Sequence, residues 1–277
     1  MTNERSGEDR RASRRTGVAR PVWVAAALVT IVQLGPVPGA EAGCPGRGMA
    51  RVGPGCVDKY EASVWRIPPT ATALIQAART GKPTAAELVA GGAKQLGVME
   101  DDYGPCSDDG GTGCESVYAV STPGVRPSTY LTWFQAQQAC GNARKRLPRN
   151  AEWQMAAAGT PDTLPDDGAT TCVVGGDGVI ATGTRSGCVS RWGVFDMSTN
   201  VFEWTEDWVP RSTNCTSWGD RSTTYMCLAG AEARLPFPGV IVRGGSWEEG
   251  SFGGTLTIDA GYTPFVANSV VGFRCAG

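Results

Sequence analysis

Apolar positions along this chain come in short runs, broken by glycine, proline and polar pairs, and long amphipathic stretches are few. Cys56–Val64 mixes β-formers with turn residues and reads as a strand. Residues 68–92 read as helical, with Thr84 and Glu87 forming a capping box before Leu88-Val89. Residues 100–115 are acidic and turn-rich. A second capping box, Thr132 and Gln135, opens a helix to about residue 143. Within it Trp133, Ala136 and Cys140 fall at i, i+3 and i+7, so they share the buried face. A short helix follows Pro148, with Trp153, Ala156 and Ala157 inward and Gly159 as its stop. Residues 160–235 read as loops and short strands. Residues 239–247 read as a buried strand entering a glycine turn, and 270–275 as a final strand. Thirty-eight glycines and a charged fraction of 19% fit an α+β domain with much irregular structure.

The N-terminus has a different pattern. Six arginines precede an apolar run, Val22–Leu34, and Ala40-Glu41-Ala42 offers a small-x-small cleavage site. The run is short of the roughly 20 residues that span a bilayer. A signal peptide over residues 1–42 is therefore expected, with a periplasmic or secreted domain at 43–277. Glu41 stands where a lipid-attachment signal would have an aliphatic residue, so lipidation of Cys44 is not favoured. Without residues 1–42 the chain has 19 basic and 23 acidic residues, a net charge of −4. That balance lacks the cationic footprint of a nucleic-acid partner. No second long apolar run would span a membrane. There is no histidine, which removes Ser-His-Asp triads, Cys-His dyads, HExxH zinc sites and two-His-one-carboxylate iron centres. Nothing signals haem, flavin or nicotinamide.

All ten cysteines follow residue 42, and an even count in an exported chain reads as disulfides. Spacing does not fix the connectivity. Cys44–Cys56, Cys106–Cys114, Cys172–Cys188 and Cys215–Cys227 close naturally as local loops, which leaves Cys140 and Cys275. Arg146, Arg243, Arg274, Glu152 and Glu203 sit among apolar and glycine residues. Charges there persist only when paired, so buried Arg–Glu bonds are expected. Asp108 and Asp109, among glycines, read as part of a solvated loop, with calcium binding as the alternative.

Four ordered segments carry a family resemblance: Ala143–Trp153 (ARKRLPRNAEW), Gly193–Trp204 (GVFDMSTNVFEW), Val242–Trp247 (VRGGSW) and Gly272–Ala276 (GFRCA). Val57-Asp58-Lys59-Tyr60-Glu61 also fits. Together they resemble the sulfatase-modifying-factor domain of formylglycine-generating enzymes over residues 49–277, least so at 66–120. The resemblance implies a C-type lectin-like fold and a Cys140–Cys275 disulfide. It also implies calcium at Asn200, Val201 and Glu203, whose amide, carbonyl and carboxylate are hard oxygen donors. Thr199 replaces a usual glycine there, and the competing reading pairs Glu203 with an arginine.

Active members of that family place two copper-binding cysteines just after the Gly-Gly-Ser-aromatic turn. Here the aligned positions are Glu249 and Gly254, and neither supplies a thiolate for Cu(I), so copper is not expected. The sulfoxide-synthase branch needs histidine-bound iron, which this chain lacks. The pyoverdine-maturing branch works without the cysteine pair. The expectation is an envelope binding or scaffold module rather than a formylglycine generator. Trp247, Glu248, Glu249, Phe252 and Tyr262 would line its cleft and take a peptide, sugar or small molecule. Two alternatives remain: an oxidase with Glu249 as general base, or formylglycine generation itself.

Overall fold

A computed structural model of the chain describes residues 43–277 except 45, 47, 81–82, 101, 104–115 and 163–164. The expected leader, the Cys106–Cys114 pair and the Asp108-Asp109 loop lie outside the described residues. Among the described residues no helix is long and apolar enough to cross a membrane.

The chain begins with an antiparallel hairpin of β1 (Met49–Val52) and β2 (Gly55–Asp58), followed by β3 (Ser63–Arg66). The single strand expected over Cys56–Val64 is thus two strands. The segment between them turns away to meet other parts of the chain: Tyr60 N donates to Ser121 Oγ, Glu61 N to Thr182 Oγ1 and Ala62 N to Phe273 O. The expected helix over 68–92 is likewise divided, into α1 (Thr72–Thr80) and α2 (Ala85–Ala90). Its own capping box explains the break. Thr84 accepts from Glu87 N and donates its N–H to the Glu87 carboxylate, which holds Thr84 extended at ψ 159°.

β4 (Lys94–Leu96) and β5 (Val117–Val120) flank β3 in a three-stranded sheet. α3 (Trp133–Asn142) starts at the expected Thr132–Gln135 box and buries Ala136, Ala139 and Cys140. α4 (Asn150–Ala157) buries Trp153, Ala156 and Ala157, and Gly159 follows at φ +86°. A six-stranded sheet supplies the scaffold for the site. It uses β6 (Phe202–Val209), β7 (Thr216–Ser217), β8 (Tyr225–Cys227), β9 (Gly239–Gly244), β10 (Gly254–Asp259) and β11 (Val271–Phe273). The order is β11-β6-β9-β10-β8-β7, with β11/β6 and β8/β10 parallel. β6, eight residues long, stands out from the loops and short strands expected over 160–235.

The main core joins α3 to this sheet through Leu131, Ala136, Ala139, Phe202, Trp204, Val242 and Phe273. Cys140–Cys275 ties that helix to the end of the last strand, and Cys44–Cys56, Cys172–Cys188 and Cys215–Cys227 close local loops. All four pairings match the expected ones. A link across 135 residues also removes considerable freedom from the unfolded chain.

Candidate functional site

The site is built around the turn after β9. Gly244 and Gly245 take φ +92° and +82°, a region that favours glycine. A Cβ on Gly245 would stand 2.6 Å from Gly253 Cα. The turn is stapled to a second irregular segment: Thr199 N donates to Gly244 O, and Trp247 N to Asn200 O. Thr199 and Asn200 themselves adopt φ +64° and +65°. Threonine thus bends where the family usually has glycine. A β-branched residue in this conformation stores strain.

Glu249 folds back on the turn, its Oε2 accepting from Ser246 N and Ser246 Oγ, each at 2.5 Å. Tyr262 packs near Phe202 and Trp204. Burial raises its phenol, and the charges of Asp259, Glu249 and Glu248 raise it further. Asp259 is raised first by burial and then by Glu249, against a 2.6 Å hydrogen bond from Gly261 N. Trp247 packs on the same core as Tyr262, and its buried indole Nε1 has no hydrogen-bond partner. The charges of Glu248 and Glu249 thus reach the Tyr262 phenol, and Trp247 packs on the same core. Phe252 is stacked on Tyr225, 46% exposed, with ring centroids 4.9 Å apart. Asp259 belongs with the carboxylates but was not among the expected residues. Its only sequence signal is an acid ending an otherwise β-forming run, Thr255–Ile258. A hollow of about 500 Å³ opens beside it, lined by Arg211, Ser212, Thr213, Asn214, Cys215, Cys227, Leu235, Asp259 and Gly261.

A buried charge network lies behind this face. Glu203 accepts from Arg274 Nε and Nη2 at 2.7 and 2.6 Å and from Trp153 Nε1 at 2.8 Å. Arg274 and Glu203 are both fully buried. Burial, then Asp196 and Glu203, raise the Glu61 carboxyl well above the ordinary range. Its Oε2 accepts from Asn200 Nδ2, and its Oε1 has no partner. Asp58, buried beside Lys145, and Asp196 are also raised, mainly by burial.

Two expectations change here. First, Arg146 pairs with Glu152 at 2.7 Å, but both side chains are about a third exposed, so the pair is not a buried one. Among the described residues Arg243 meets no carboxylate. It donates to Thr257 O, Thr255 O and Gln154 Oε1, and lies 4.7 Å over the Trp153 ring. Glu203 is its register partner on β6, yet Trp153 comes between them, taking Arg243 on its ring face and Glu203 on its N–H. Burial without a counter-charge lowers the guanidinium to about 10. Second, the calcium donors are engaged with protein groups. Both Glu203 oxygens serve Arg274 and Trp153, and Asn200 Oδ1 accepts from Ile180 N. As arranged, Glu203 and Asn200 therefore spend their side-chain oxygens on protein groups, and the arginine pairing of Glu203 is what the structure holds.

This fold and this turn define a class. The chain belongs to the sulfatase-modifying factor enzyme 1-like domain family, whose model matches residues 100–277. Its α+β, disulfide-stapled fold is of that formylglycine-generating-enzyme, C-type-lectin-like type. The serine/threonine-protein kinase pkn1 of Chlamydia caviae is 28% identical over 167 residues, 57% of this chain and 25% of that protein. Its counterpart in Chlamydia pneumoniae is 27% identical over 164 residues, again 57% of this chain and 25% of that protein. The chain thus spans about a quarter of the length of these curated relatives. Among solved structures, the Major Tropism Determinant I1 variant is 19% identical with a TM-score of 0.48, covering 83% of this chain and 52% of that one. PvdO from Pseudomonas aeruginosa is 18% identical with a TM-score of 0.42, covering 80% and 79%.

Proposed function

We propose that this protein is an extracytoplasmic binding member of the family that takes a cationic organic group, and that it does not generate formylglycine. The observation carrying this reading is the acidic face around Tyr262, where Glu248, Glu249 and Asp259 act on one phenol. Among the described residues the buried Trp247 N–H has no hydrogen-bond partner. An amine or guanidinium beside an aromatic wall and carboxylates gains charge pairing and cation–π attraction together. The residues aligned with the family's copper-binding cysteines are Glu249 and Gly254, and among the described residues no cysteine is free. The disulfides support export.

The oxidase reading with Glu249 as base is weakened because its Oε2 is already engaged by Ser246 N and Ser246 Oγ, which hold the carboxylate to the turn.

A short arginine-rich peptide, titrated into the full chain and followed by tryptophan fluorescence, tests the binding reading. Saturable binding that weakens about tenfold in Glu248→Gln and in Trp247→Ala is expected. Equal affinity in wild type and both variants sinks the cleft. Separately, a cysteine-bearing sulfatase-motif peptide with copper should yield no aldehyde by mass spectrometry. An aldehyde product would reverse the second half of the proposal.

A further inference from the structure

At the far edge of the six-stranded sheet, β7, β8 and β10 place three reactive groups in a row. The antiparallel pairing Thr216↔Met226 and Ser217↔Tyr225 continues to Cys215 opposite Cys227. The parallel pairing of β8 with β10 then sets Cys227 against Asp259. Both sulfurs and an Asp259 carboxylate oxygen lie within 4.8 Å of one another. The row is asymmetric towards solvent: Cys215 is exposed and Cys227 is 1% exposed. Both border the hollow of about 500 Å³, which gives a second molecule room to approach.

The other described disulfides differ. Cys140 and Cys275 are fully buried, Cys172 and Cys188 nearly so, and Cys44–Cys56 pairs a half-buried with a buried residue. Thiol–disulfide exchange needs an accessible sulfur to attack and a leaving sulfur whose charge is relieved. Among the described disulfides, Cys215–Cys227 has both: an exposed Cys215 and, beside the leaving Cys227, a carboxyl held towards its protonated form. Glu249 and Tyr262 are the titratable groups acting on Asp259, Gly261 N donates to it, and Arg211 lines the same hollow.

We propose that Cys215–Cys227 is a redox-active disulfide that oxidises a dithiol, with Asp259 as proton donor to Cys227. A thiolate of the incoming dithiol, its proton already lost to solvent, attacks Cys215 Sγ. The Sγ–Sγ bond breaks, and its electron pair leaves on Cys227, which takes the Asp259 proton. The second thiol gives its proton to the Asp259 carboxylate and attacks the mixed disulfide. It forms the dithiol's own disulfide and frees Cys215 as a thiolate, which solvent protonates. Two electrons pass from the dithiol to the protein, and two cysteine thiols result. None of these groups belongs to the face proposed to bind a cation except Asp259, so the two readings can fail separately.

The experiment treats the oxidised full chain with dithiothreitol, traps thiols with iodoacetamide at timed intervals, and maps the alkylated cysteines by mass spectrometry. Cys215 and Cys227 are expected to react at least about tenfold faster than any other described pair, with near-UV circular dichroism retained. Asp259→Asn should slow that step about tenfold or more while leaving the reduction rate of Cys172–Cys188 unchanged. Should Asp259→Asn fail to fold, the wild-type rate decides. Corrected for the thiolate fraction of the reagent, it must fall as pH rises through the Asp259 titration. Reduction of Cys215–Cys227 no faster than that of Cys172–Cys188 overturns the proposal. An unchanged rate in folded Asp259→Asn, or a flat corrected wild-type profile, removes Asp259 from it.

Discussion

Replacing Glu203 with glutamine tests the buried network most directly. Three hydrogen bonds converge on this carboxylate, two from Arg274 and one from Trp153. Glutamine keeps one oxygen and turns an N–H₂ donor towards a donor. Arg274, fully buried, then keeps the carbonyls of Asp58 and Phe195 and at most the one glutamine oxygen as direct acceptors. Removing one partner of a buried pair costs about 3–5 kcal/mol. Glu61 and Asp196 also act favourably on the Arg274 charge, which argues for the lower end, about 3 kcal/mol. Against a total stability of about 5–15 kcal/mol this is a large loss. With a urea dependence of about 3 kcal/mol per molar, the midpoint should fall by about 1 M under non-reducing conditions. Glu152→Gln is the internal control. Its partner Arg146 is a third exposed, so the cost should stay below about 1 kcal/mol. If the two variants shift the midpoint equally, or Glu203→Gln shifts it by less than about 0.3 M, the account of the network is wrong.

Because protein groups hold the Glu203 carboxylate, EDTA should leave the melting temperature unchanged; a marked drop would restore the calcium reading. Glu61 carries a pH dependence of definite sign. A carboxyl raised by folding binds more protons folded than unfolded, so its contribution is fully present below the ordinary carboxylate range and is lost as pH rises through the raised value. Glu61→Gln should therefore gain stability relative to wild type between about pH 4 and pH 8 in urea titrations; a constant difference would exclude a raised Glu61. Gly245→Ala forces an L side chain into φ +82° and against Gly253 Cα. It should cost about 2 kcal/mol or more, read as a lower urea midpoint, and a neutral result would mean that the turn relaxes freely. Losing the Cys140–Cys275 link through a double Ala substitution should cost about 4 kcal/mol, most of the loop-closure value, because other disulfides shorten the effective loop.

Local chemistry and spacing made some features legible from the chain alone. The Thr84 and Thr132 capping boxes are complete within four residues, and the inward register of Cys140 on α3 follows from the helical period. The Cys44–Cys56, Cys172–Cys188 and Cys215–Cys227 loops are short enough to be read as pairs, and the Gly244-Gly245 turn needs a backbone that only glycine takes cheaply. Motif order was enough for the family. The remainder depended on which distant segments meet. Arg243 and Glu203 look like partners and even share a register, but Trp153 from α4 enters between them and Arg274 from the chain end takes the carboxylate. Glu61 reads as a strand residue, and only its burial, beside Asp196 and Glu203, raises its carboxyl. Asp259 joins the site because β10 runs parallel to β8 at the row that ends in Cys227. A sequence records which groups exist and how each prefers its neighbours. Which charges share a low-dielectric interior, and which cysteine is exposed beside an acid, is decided when strands far apart in the chain are laid side by side.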